Sequence, residues 1–200
     1  IKYMHGCEIY LTETLEEKIR DNYHTILIAK NNKGFQELNL LIDLSTQEDH
    51  MFYKPRITFD EFLNISDNII KISACLQSPL NRLDSKNLYY ERLMTHYDYL
   101  EVQPHVNSKE QKQFNKRLLS LSKALNKPLI AGTDTHSISF YKSECRTMLQ
   151  YSKDIIFDNE DEYDLSYKTY DELAEMFKLQ NAIPEDDYLQ AIENTNIMAN

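Results

Sequence analysis

Short apolar runs alternate with amphipathic stretches along most of this chain. The apolar runs have the length of buried strands, and the stretches between them carry apolar residues at helical spacing. Predicted strands lie within residues 1–11, 25–29, 68–75, 97–103 and 128–131. Because strands that alternate with helices are typical of parallel βαβ units, the sequence predicts an α/β fold built on an open sheet or a barrel.

The predicted helices are marked by start signals as well as by periodicity. Three pairs of residues have the spacing of a capping box, namely Thr58 and Glu61, Ser108 and Gln111, and Thr169 and Glu172. Helices are predicted over residues 33–46, 59–64, 87–96 and 108–126, and two more are predicted to begin at Thr169 and Pro184. Residues 50–56, with the sequence His-Met-Phe-Tyr-Lys-Pro-Arg, are predicted to form an exposed connection.

Composition argues against several classes of protein. The 200 residues carry a formal net charge of −10, with a pI near 5.1, which argues against a free-standing nucleic-acid binder with a net basic face. Cys7, Cys75 and Cys145 lack CxxC spacing, so we expect reduced thiols and a cytoplasmic location. No apolar run is long enough to span a bilayer, and we expect no membrane partner. The chain begins at Ile1 inside a strand-like segment, so the natural N-terminus is expected upstream.

Asp134 and His136 form a candidate metal-binding pair. The apolar run at residues 128–131 breaks at Gly132, and strand-like alternation would then direct both side chains to one side. In sheets covered by helices, ligands collect beyond the carboxyl ends of the strands. A carboxylate oxygen and an imidazole nitrogen are good ligands for zinc or manganese. The alternative is a carboxylate that orients a histidine in an ordinary loop.

Other candidate ligands occupy equivalent positions. Cys75 and His105 each follow a different predicted strand, and Glu8 lies in or beside another. Functional groups gathered from the ends of several strands are typical of α/β barrels, which favours a shared metal site. Taken alone, Cys75 also fits a small buried apolar residue. His24 precedes a strand, has no partner in view, and is predicted to be a hydrogen-bonded structural histidine.

Seven motifs, taken together and in this order, resemble the PHP (polymerase and histidinol phosphatase) domain of bacterial DNA polymerase III alpha subunits. They are Gly-Cys-Glu-Ile-Tyr at 6–10, residues 24–31 with Gly-Phe at 34–35, Phe-Tyr-Lys-Pro-Arg at 52–56, Ile-Ser-Ala-Cys at 72–75, Tyr-Leu-Glu-Val-Gln-Pro-His at 99–105, residues 128–136, and Glu-Asn-Thr at 193–195. The resemblance covers nearly all of the chain. Tyr-Lys-Pro-Arg and the C-terminal helices resemble the polymerase branch of the family rather than free-standing histidinol phosphatases.

The resemblance implies a distorted (β/α)7 barrel of the PHP type, here lacking its N-terminal strands, with a multinuclear metal site at one rim. Residues 1–150 would form the core of this barrel. Residues 151–200 would form an acidic loop, over 154–164, and C-terminal helices that complete the domain and lead to the polymerase region. The family's opening His-x-His strand has no counterpart in this sequence, so its ligands are expected upstream of Ile1.

The resemblance also implies a ligand set. The implied metal ligands are Glu8, Cys75, His105, Asp134 and His136. They are expected to bind zinc or manganese, with magnesium as a third candidate. No catalytic residue separate from these ligands is implied, and no other cofactor.

Two classes of function stay open on this evidence. In the first, the domain is part of a DNA-directed DNA polymerase in replication and hydrolyses phosphoesters with metal-activated water, for example as a 3′-5′ proofreading exonuclease. In the second, it is a non-catalytic metal-binding module that braces the polymerase, and a free-standing PHP phosphatase is a further alternative. The implied partners are the remaining polymerase domains, DNA through the full-length protein, and other replisome subunits.

Overall fold

The computed structural model describes residues 3–155 and 163–200. Residues 156–162, which make up most of the predicted acidic loop, lie outside the described residues. The chain divides into two compact units. The first unit consists of Ile1–Glu101, Ala124–Pro128 and Ala199, and the second consists of Val102–Lys123, Leu129–Met198 and Asn200.

The first unit is built on a four-stranded sheet. Its strands are β1 (Gly6–Thr12), β2 (Tyr23–Ala29), β3 (Arg56–Thr58) and β4 (Ile69–Ile72). Their order across the sheet is β3-β1-β2-β4. β1 pairs antiparallel with β2 and parallel with β3, and β2 pairs antiparallel with β4.

This mixed sheet corrects the expectation of purely parallel βαβ units. The connection at residues 13–22 holds no helix, whereas parallel strands need a crossover of about a dozen residues or more, usually a helix. β2 therefore returns antiparallel to β1. The expected α/β architecture is confirmed as a mixed α/β fold, and no closed barrel forms among the residues that the structure describes.

Helices of the first unit are α1 (Asn32–Ser45), α2 (Phe59–Leu63), α3 (Pro79–Arg82) and α4 (Tyr90–His96). The Asn31 side chain caps α1 by accepting hydrogen bonds from the amides of Lys33 and Gly34. Gly34 is required for close packing, because a Cβ there would lie 2.1 Å from the backbone oxygen of Asn68. The predicted capping box of Thr58 and Glu61 is present and starts α2.

The second unit contains most of α5 (Lys109–Leu125), β6 (Leu129–Ala131), α6 (Phe140–Tyr151), α7 (Tyr170–Gln180) and most of α8 (Glu185–Ala199). The short strand β5 (Leu100–Val102) ends in this unit and pairs with β6, and the Gly132 amide donates to the Val102 carbonyl at 3.0 Å. The predicted capping box of Thr169 and Glu172 is present at the start of α7. Ser108 accepts a hydrogen bond from the Gln111 amide, which caps α5.

The segment at residues 50–56 was predicted to be an exposed connection, and this prediction was wrong for its first and last residues, which are buried. His50 and Arg56 are 5% and 1% exposed. Arg56 Nη1 donates to the Ile19 carbonyl at 2.7 Å and lies 3.5 Å from Asp21 Oδ1. A buried charge is tolerated when it is paired in this way. Tyr53 and its neighbour Lys54 remain exposed.

Two helices were not predicted. α3 is a single turn, too short to produce a periodic signal. α6 buries none of its residues, so its apolar side chains do not mark a packed face. No helix among the described ranges is long and apolar enough to cross a lipid bilayer.

Candidate functional site

Glu8 and His24 lie on the same face of the sheet because of the pairing of β1 with β2. The register places Glu8 opposite Ile26 and Tyr10 opposite His24. Directly opposed residues of antiparallel strands share a face, and diagonal neighbours are within reach of long side chains. Glu8 is therefore a diagonal neighbour of His24.

Cys75 joins this pair from the loop after β4. His24 Nδ1 lies 3.2 Å from Glu8 Oε1 and 3.5 Å from Cys75 Sγ. The His24 amide donates to the Gln77 carbonyl at 3.0 Å, and the Gln77 amide donates to Cys75 Sγ at 3.5 Å. These bonds fasten the loop to β2. The side chains of His24 and Glu8 are 23% and 36% exposed, so solvent and small ions reach this cluster.

The three side chains offer ligand types that zinc prefers, namely carboxylate, imidazole and thiolate. Within residues 3–155 and 163–200, however, no group of three or more His, Cys, Asp or Glu is arranged to hold a metal ion. The distances explain this finding, because Glu8 Oε1 and Cys75 Sγ both approach the same nitrogen of His24. The side chains thus contact one another instead of surrounding a common point.

His105 belongs to the second unit and is 4% exposed. Its Nε2 lies 3.0 Å from Gln103 Oε1, an acceptor, so Nε2 carries the proton and donates it. The other nitrogen, Nδ1, is buried and has no hydrogen-bond partner in the described part of the chain. The pKa of His105 is lowered to about 4, chiefly by burial and also by the Lys168 ammonium, while Asp164 opposes the shift. A neutral imidazole that donates one N–H and keeps a lone pair on the other nitrogen is the form that binds metal ions.

A network of buried amides holds the backbone at Gln103 and His105. The side-chain nitrogen Nδ2 of Asn115 donates to the backbone carbonyl of Gln103 and to Gln180 Oε1, both at 2.8 Å. The side-chain nitrogen Nε2 of Gln180 donates to the backbone carbonyls of Gln103 and His105, at 2.8 Å and 3.1 Å. Asn115 and Gln180 are 0% and 1% exposed, so these bonds form out of contact with water. The His105 backbone is therefore held by α5 and α7.

Asp134 and His136 follow β6 in the second unit. Asp134 Oδ1 lies 3.8 Å from His136 Nε2, and the two side chains are 35% and 43% exposed. Asp134 has a φ of 49°, in the left-handed region that Asp tolerates better than most residues. The His136 amide donates to the Leu165 carbonyl at 2.8 Å, which anchors the loop. The buried Asn194 donates to the Leu129 carbonyl at 2.6 Å and so ties β6 to α8.

The structure brings together some of the predicted ligands. It places Glu8 and Cys75 on either side of His24 in the first unit, and Asp134 beside His136 in the second. The predicted convergence of all five ligands draws on both units and stays a prediction.

His24 is the residue that the sequence analysis missed as a site residue, because it had no partner in view. The signal that identifies it is the strand register, which fixes the diagonal contact with Glu8. Single-sequence patterns do not contain that register.

Comparison with known proteins gives the family context of these residues. A model of the PHP domain family matches residues 1–105. The DNA polymerase III subunit alpha of Borreliella burgdorferi is 34% identical over 154 residues, which cover 70% of this chain and 13% of that protein. The subunit of the same name from Aquifex aeolicus is 30% identical over 159 residues, or 70% of this chain and 14% of that protein. The DNA polymerase III PolC-type of Clostridium perfringens is 27% identical over 152 residues, which cover 64% of this chain and 10% of that protein. The chain thus spans 13% and 14% of the length of the first two relatives.

Proposed function

The chain belongs to the PHP domain family, and from this premise we propose that it is the PHP domain of a DNA polymerase III alpha subunit. The names of the curated relatives support the proposal. The proposal includes a distorted (β/α)7 barrel in the complete domain, whose core is residues 1–150 of this chain and whose closing helices lie within 151–200. It also includes polymerisation of DNA by the full-length protein, together with its remaining domains and other replisome subunits.

A cytoplasmic location is also part of the proposal. The three cysteines, all in described ranges, support it because none of them forms a disulfide.

Within this protein, the chain's own role is to bind divalent metal ions for phosphoester hydrolysis, such as 3′-5′ exonuclease proofreading. The observation that carries this proposal is the position of His24 Nδ1 between a carboxylate oxygen and a thiol sulfur, at 3.2 Å and 3.5 Å. All three groups are metal-ligand types, and those of Glu8 and Cys75 both lie within 3.5 Å of His24 Nδ1. Metal binding requires the thiol and the imidazole nitrogen to lose their protons, so affinity is expected to rise with pH.

His105 supports the same role by a different route. Its ring is neutral, and its Nδ1 has no partner within residues 3–155 and 163–200. Both features fit a metal ligand, because a buried nitrogen without a hydrogen bond is costly unless something else binds it. Gln103 takes the N–H on the other side of the ring, as a supporting partner of a metal-bound histidine does.

The exposed pair of Asp134 and His136 adds a carboxylate and an imidazole to the donors of the second unit. In the first unit, Glu8, His24 and Cys75 offer oxygen, nitrogen and sulfur donors. This mixture suits zinc or manganese better than calcium, which prefers oxygen alone. Ligand distances of about 2.0–2.3 Å are expected for zinc.

A divalent ion, when bound, supplies Lewis-acid activation of water and charge neutralisation at a phosphoryl group. The residues of each unit would hold and orient such an ion. In the first unit the carboxylate of Glu8 would contribute negative charge. In the second unit the carboxylate of Asp134 would do so, and His105 would contribute a lone pair that stays unprotonated at neutral pH. No side chain apart from the ligands is assigned a catalytic step.

The proposal is tested in the full-length protein with Asp134→Asn, which removes a charged ligand while keeping the volume of the side chain. The variant is expected to abolish metal-dependent release of 3′-terminal nucleotides and to retain primer extension. Asp186→Asn, which removes an exposed carboxylate of the same unit, is the matched control and should retain both activities.

A bracing role without hydrolysis gives a different result. The wild-type protein would then contain bound metal but release no 3′-terminal nucleotides, and Asp134→Asn would lower the melting temperature and primer extension together. That outcome would end the hydrolytic assignment.

A further inference from the structure

A basic and aromatic surface of the first unit contrasts with the acidic composition of the whole chain. No Asp or Glu occurs between His50 and Thr58, although the chain carries a net charge of −10. We call this surface the Tyr53 surface, and it consists of Tyr10, Arg20, Phe52, Tyr53 and Lys54.

The side chains of the Tyr53 surface pair cations with aromatic rings. The Arg20 guanidinium carbon lies 3.5 Å from the centroid of the Tyr53 ring, and Lys54 Nζ lies 5.4 Å from that of Tyr10. Phe52 packs edge-on against Tyr53, with a centroid distance of 4.7 Å. Within the described part of the chain, neither cation forms an ion pair with a carboxylate. Both therefore keep their charge available to an anion.

Tyr53 is held in a strained conformation that leaves its ring in solvent. Its φ is 59°, an unusual value for a bulky side chain, and the residue is 63% exposed. Strain of about 1–3 kcal/mol persists only where the surroundings enforce it, and such positions cluster at binding sites. An exposed apolar ring kept in place at this cost points to a ligand that stacks on it.

Arg56 joins the two loops that form the surface. It opens β3 directly after Lys54 and Pro55, and its guanidinium donates to the Ile19 carbonyl at 2.7 Å. Asp21, beside Arg20, lies 3.5 Å from Arg56 and also accepts a hydrogen bond from Thr12 at 2.8 Å. The loop that carries Arg20 is thus fixed next to the segment that carries Tyr53 before any ligand binds.

The surface is continuous with the candidate site. Tyr10, whose ring lies under Lys54, also packs edge-on against His24 with a centroid distance of 5.0 Å. His24 is the residue between Glu8 and Cys75. A chain of contacts therefore runs from the cation Lys54 to the proposed metal ligands.

We propose that the Tyr53 surface binds an unpaired nucleic-acid strand and leads its end to Glu8, His24 and Cys75. This inference rests on the proposed function, since it names the groups that hold the substrate of that site. Aromatic rings that stack bases and cations that contact phosphates are the two elements of single-strand binding, and stacking does not depend on base identity. Tyr53 stacks a base on the ring face that Arg20 does not cover, while Lys54 and Arg20 contact the backbone.

The test uses the full-length protein and a short oligothymidylate that carries a photoreactive thiothymidine at an internal position close to its 3′ end, where the proposal places a base on Tyr53. Chelator is present during irradiation, so that no hydrolysis occurs, and the cross-linked peptides are mapped by mass spectrometry. Cross-links are expected in the peptide that contains Tyr53. Tyr53→Ala and Lys54→Gln should each lower the yield about tenfold, the loss expected for one stacked base or one phosphate contact. Lys54→Gln should also reduce the slope of log affinity against log salt by about 0.7.

Matched variants separate binding from general effects. Tyr53→Phe keeps the ring and should restore the cross-link, whereas Lys33→Gln and Tyr170→Ala change exposed residues elsewhere and should leave the yield unchanged. Cross-links that map only to other segments, or a yield unaffected by Tyr53→Ala and Lys54→Gln, would overturn the inference. If the Tyr53 cross-link forms but the metal-loaded protein hydrolyses nothing, the hydrolytic proposal fails and the strand-binding surface stands.

Discussion

His50 and His105 are buried to almost the same extent, 5% and 4% exposed, yet their pKa values move in opposite directions. Burial lowers the pKa of both. The effect of burial on His50 is outweighed by its two carboxylate partners, so the pKa of His50 is raised. Nδ1 lies 2.7 Å from Asp49 and Nε2 lies 2.9 Å from Glu61. In His105 the ring partner is the neutral amide of Gln103, and the pKa falls to about 4.

The difference shows that low solvent exposure alone does not decide what the ring of a histidine can do, because its hydrogen-bond partners act on the same pKa. Both nitrogens of His50 are occupied by carboxylates, so its ring has no lone pair to offer and its role is structural. His105 is neutral, and its Nδ1 has no hydrogen-bond partner among the residues that the structure describes. The latter is the state in which imidazole binds metal ions. The comparison therefore separates a structural histidine from a candidate ligand at similar solvent exposure.

The largest expected effect concerns the amides that hold His105. Asn115→Ala would leave several buried groups without partners, among them the Gln111 amide and the Gln180 oxygen. Because each such group costs about 1–3 kcal/mol, we expect a loss of about 3 kcal/mol in the free energy of opening of α5, measured by hydrogen exchange. Asn196→Ala, on an exposed helix position, should change this free energy by less than about 0.5 kcal/mol. Equal effects of the two variants would show that the amide network does not hold His105.

A smaller effect is expected from Glu61→Ala, which removes both a helix cap and a partner of His50. Glu61 accepts hydrogen bonds from the Thr58 amide and hydroxyl and also contacts His50. The loss of these bonds should cost about 2 kcal/mol of unfolding free energy, measured by hydrogen exchange in the first unit.

The capping box of α7 provides the control for this substitution. Glu172 makes the same two hydrogen bonds to Thr169, and in the described part of the structure it forms no hydrogen bond with a histidine. Glu172→Ala should therefore destabilise the second unit less than Glu61→Ala destabilises the first. Losses of the same size would mean that the contact with His50 contributes nothing.

The smallest effect is the pH dependence that His50 confers. The pKa of His50 is higher in the folded protein than its unfolded value of 6.5. The free energy that the charged His50 adds to folding is therefore fully present below pH 6.5 and is lost as the pH rises through the folded pKa. For Glu61, burial raises the pKa, but hydrogen bonds from Thr58 and His50 outweigh it, so the pKa is lowered. Its contribution is complete above 4.5 and is lost as the pH falls through the folded value. The pair should stabilise the first unit most between about pH 4.5 and 6.5.

His50→Gln provides the comparison for the pH prediction. The unfolding free energy of the wild-type protein should fall more steeply than that of His50→Gln between pH 6.5 and 8, measured by hydrogen exchange. Parallel curves over this range would show that His50 is not charged in the folded state.

Local signals allowed much of the fold to be predicted. The capping boxes at Thr58 and Thr169 depend on residues three positions apart, and both are present in the structure. The apolar runs located β1, β2, β4, β5 and β6, and through them the positions of Cys75, His105 and Asp134 near strand ends. They did not locate β3, which is only three residues long. These features are visible because the interacting residues are close in sequence.

Contacts between distant residues could not be predicted in this way. His24 was interpreted as structural because its partners, Glu8 and Cys75, reach it only through strand pairing and a loop after β4. The antiparallel return of β2 and the burial of Arg56 against residues 19–21 likewise depend on register and tertiary packing. A single sequence carries propensity and period, but it does not fix which strand lies beside which.

The metal content of the full-length protein tests most directly the claim that Glu8, His24 and Cys75 bind metal. The wild-type protein is equilibrated with zinc or manganese and then freed of unbound ions. It should retain metal, as measured by mass spectrometry. His24→Ala should retain less metal than the wild type, and circular dichroism verifies that the variant is folded. Chelator should also lower the melting temperature of His24→Ala by less than it lowers that of the wild type. Lys33→Gln should match the wild type in both measurements. If His24→Ala retained as much metal as Lys33→Gln, His24 would be the structural histidine that the sequence alone suggested, and its assignment as a metal ligand would be contradicted.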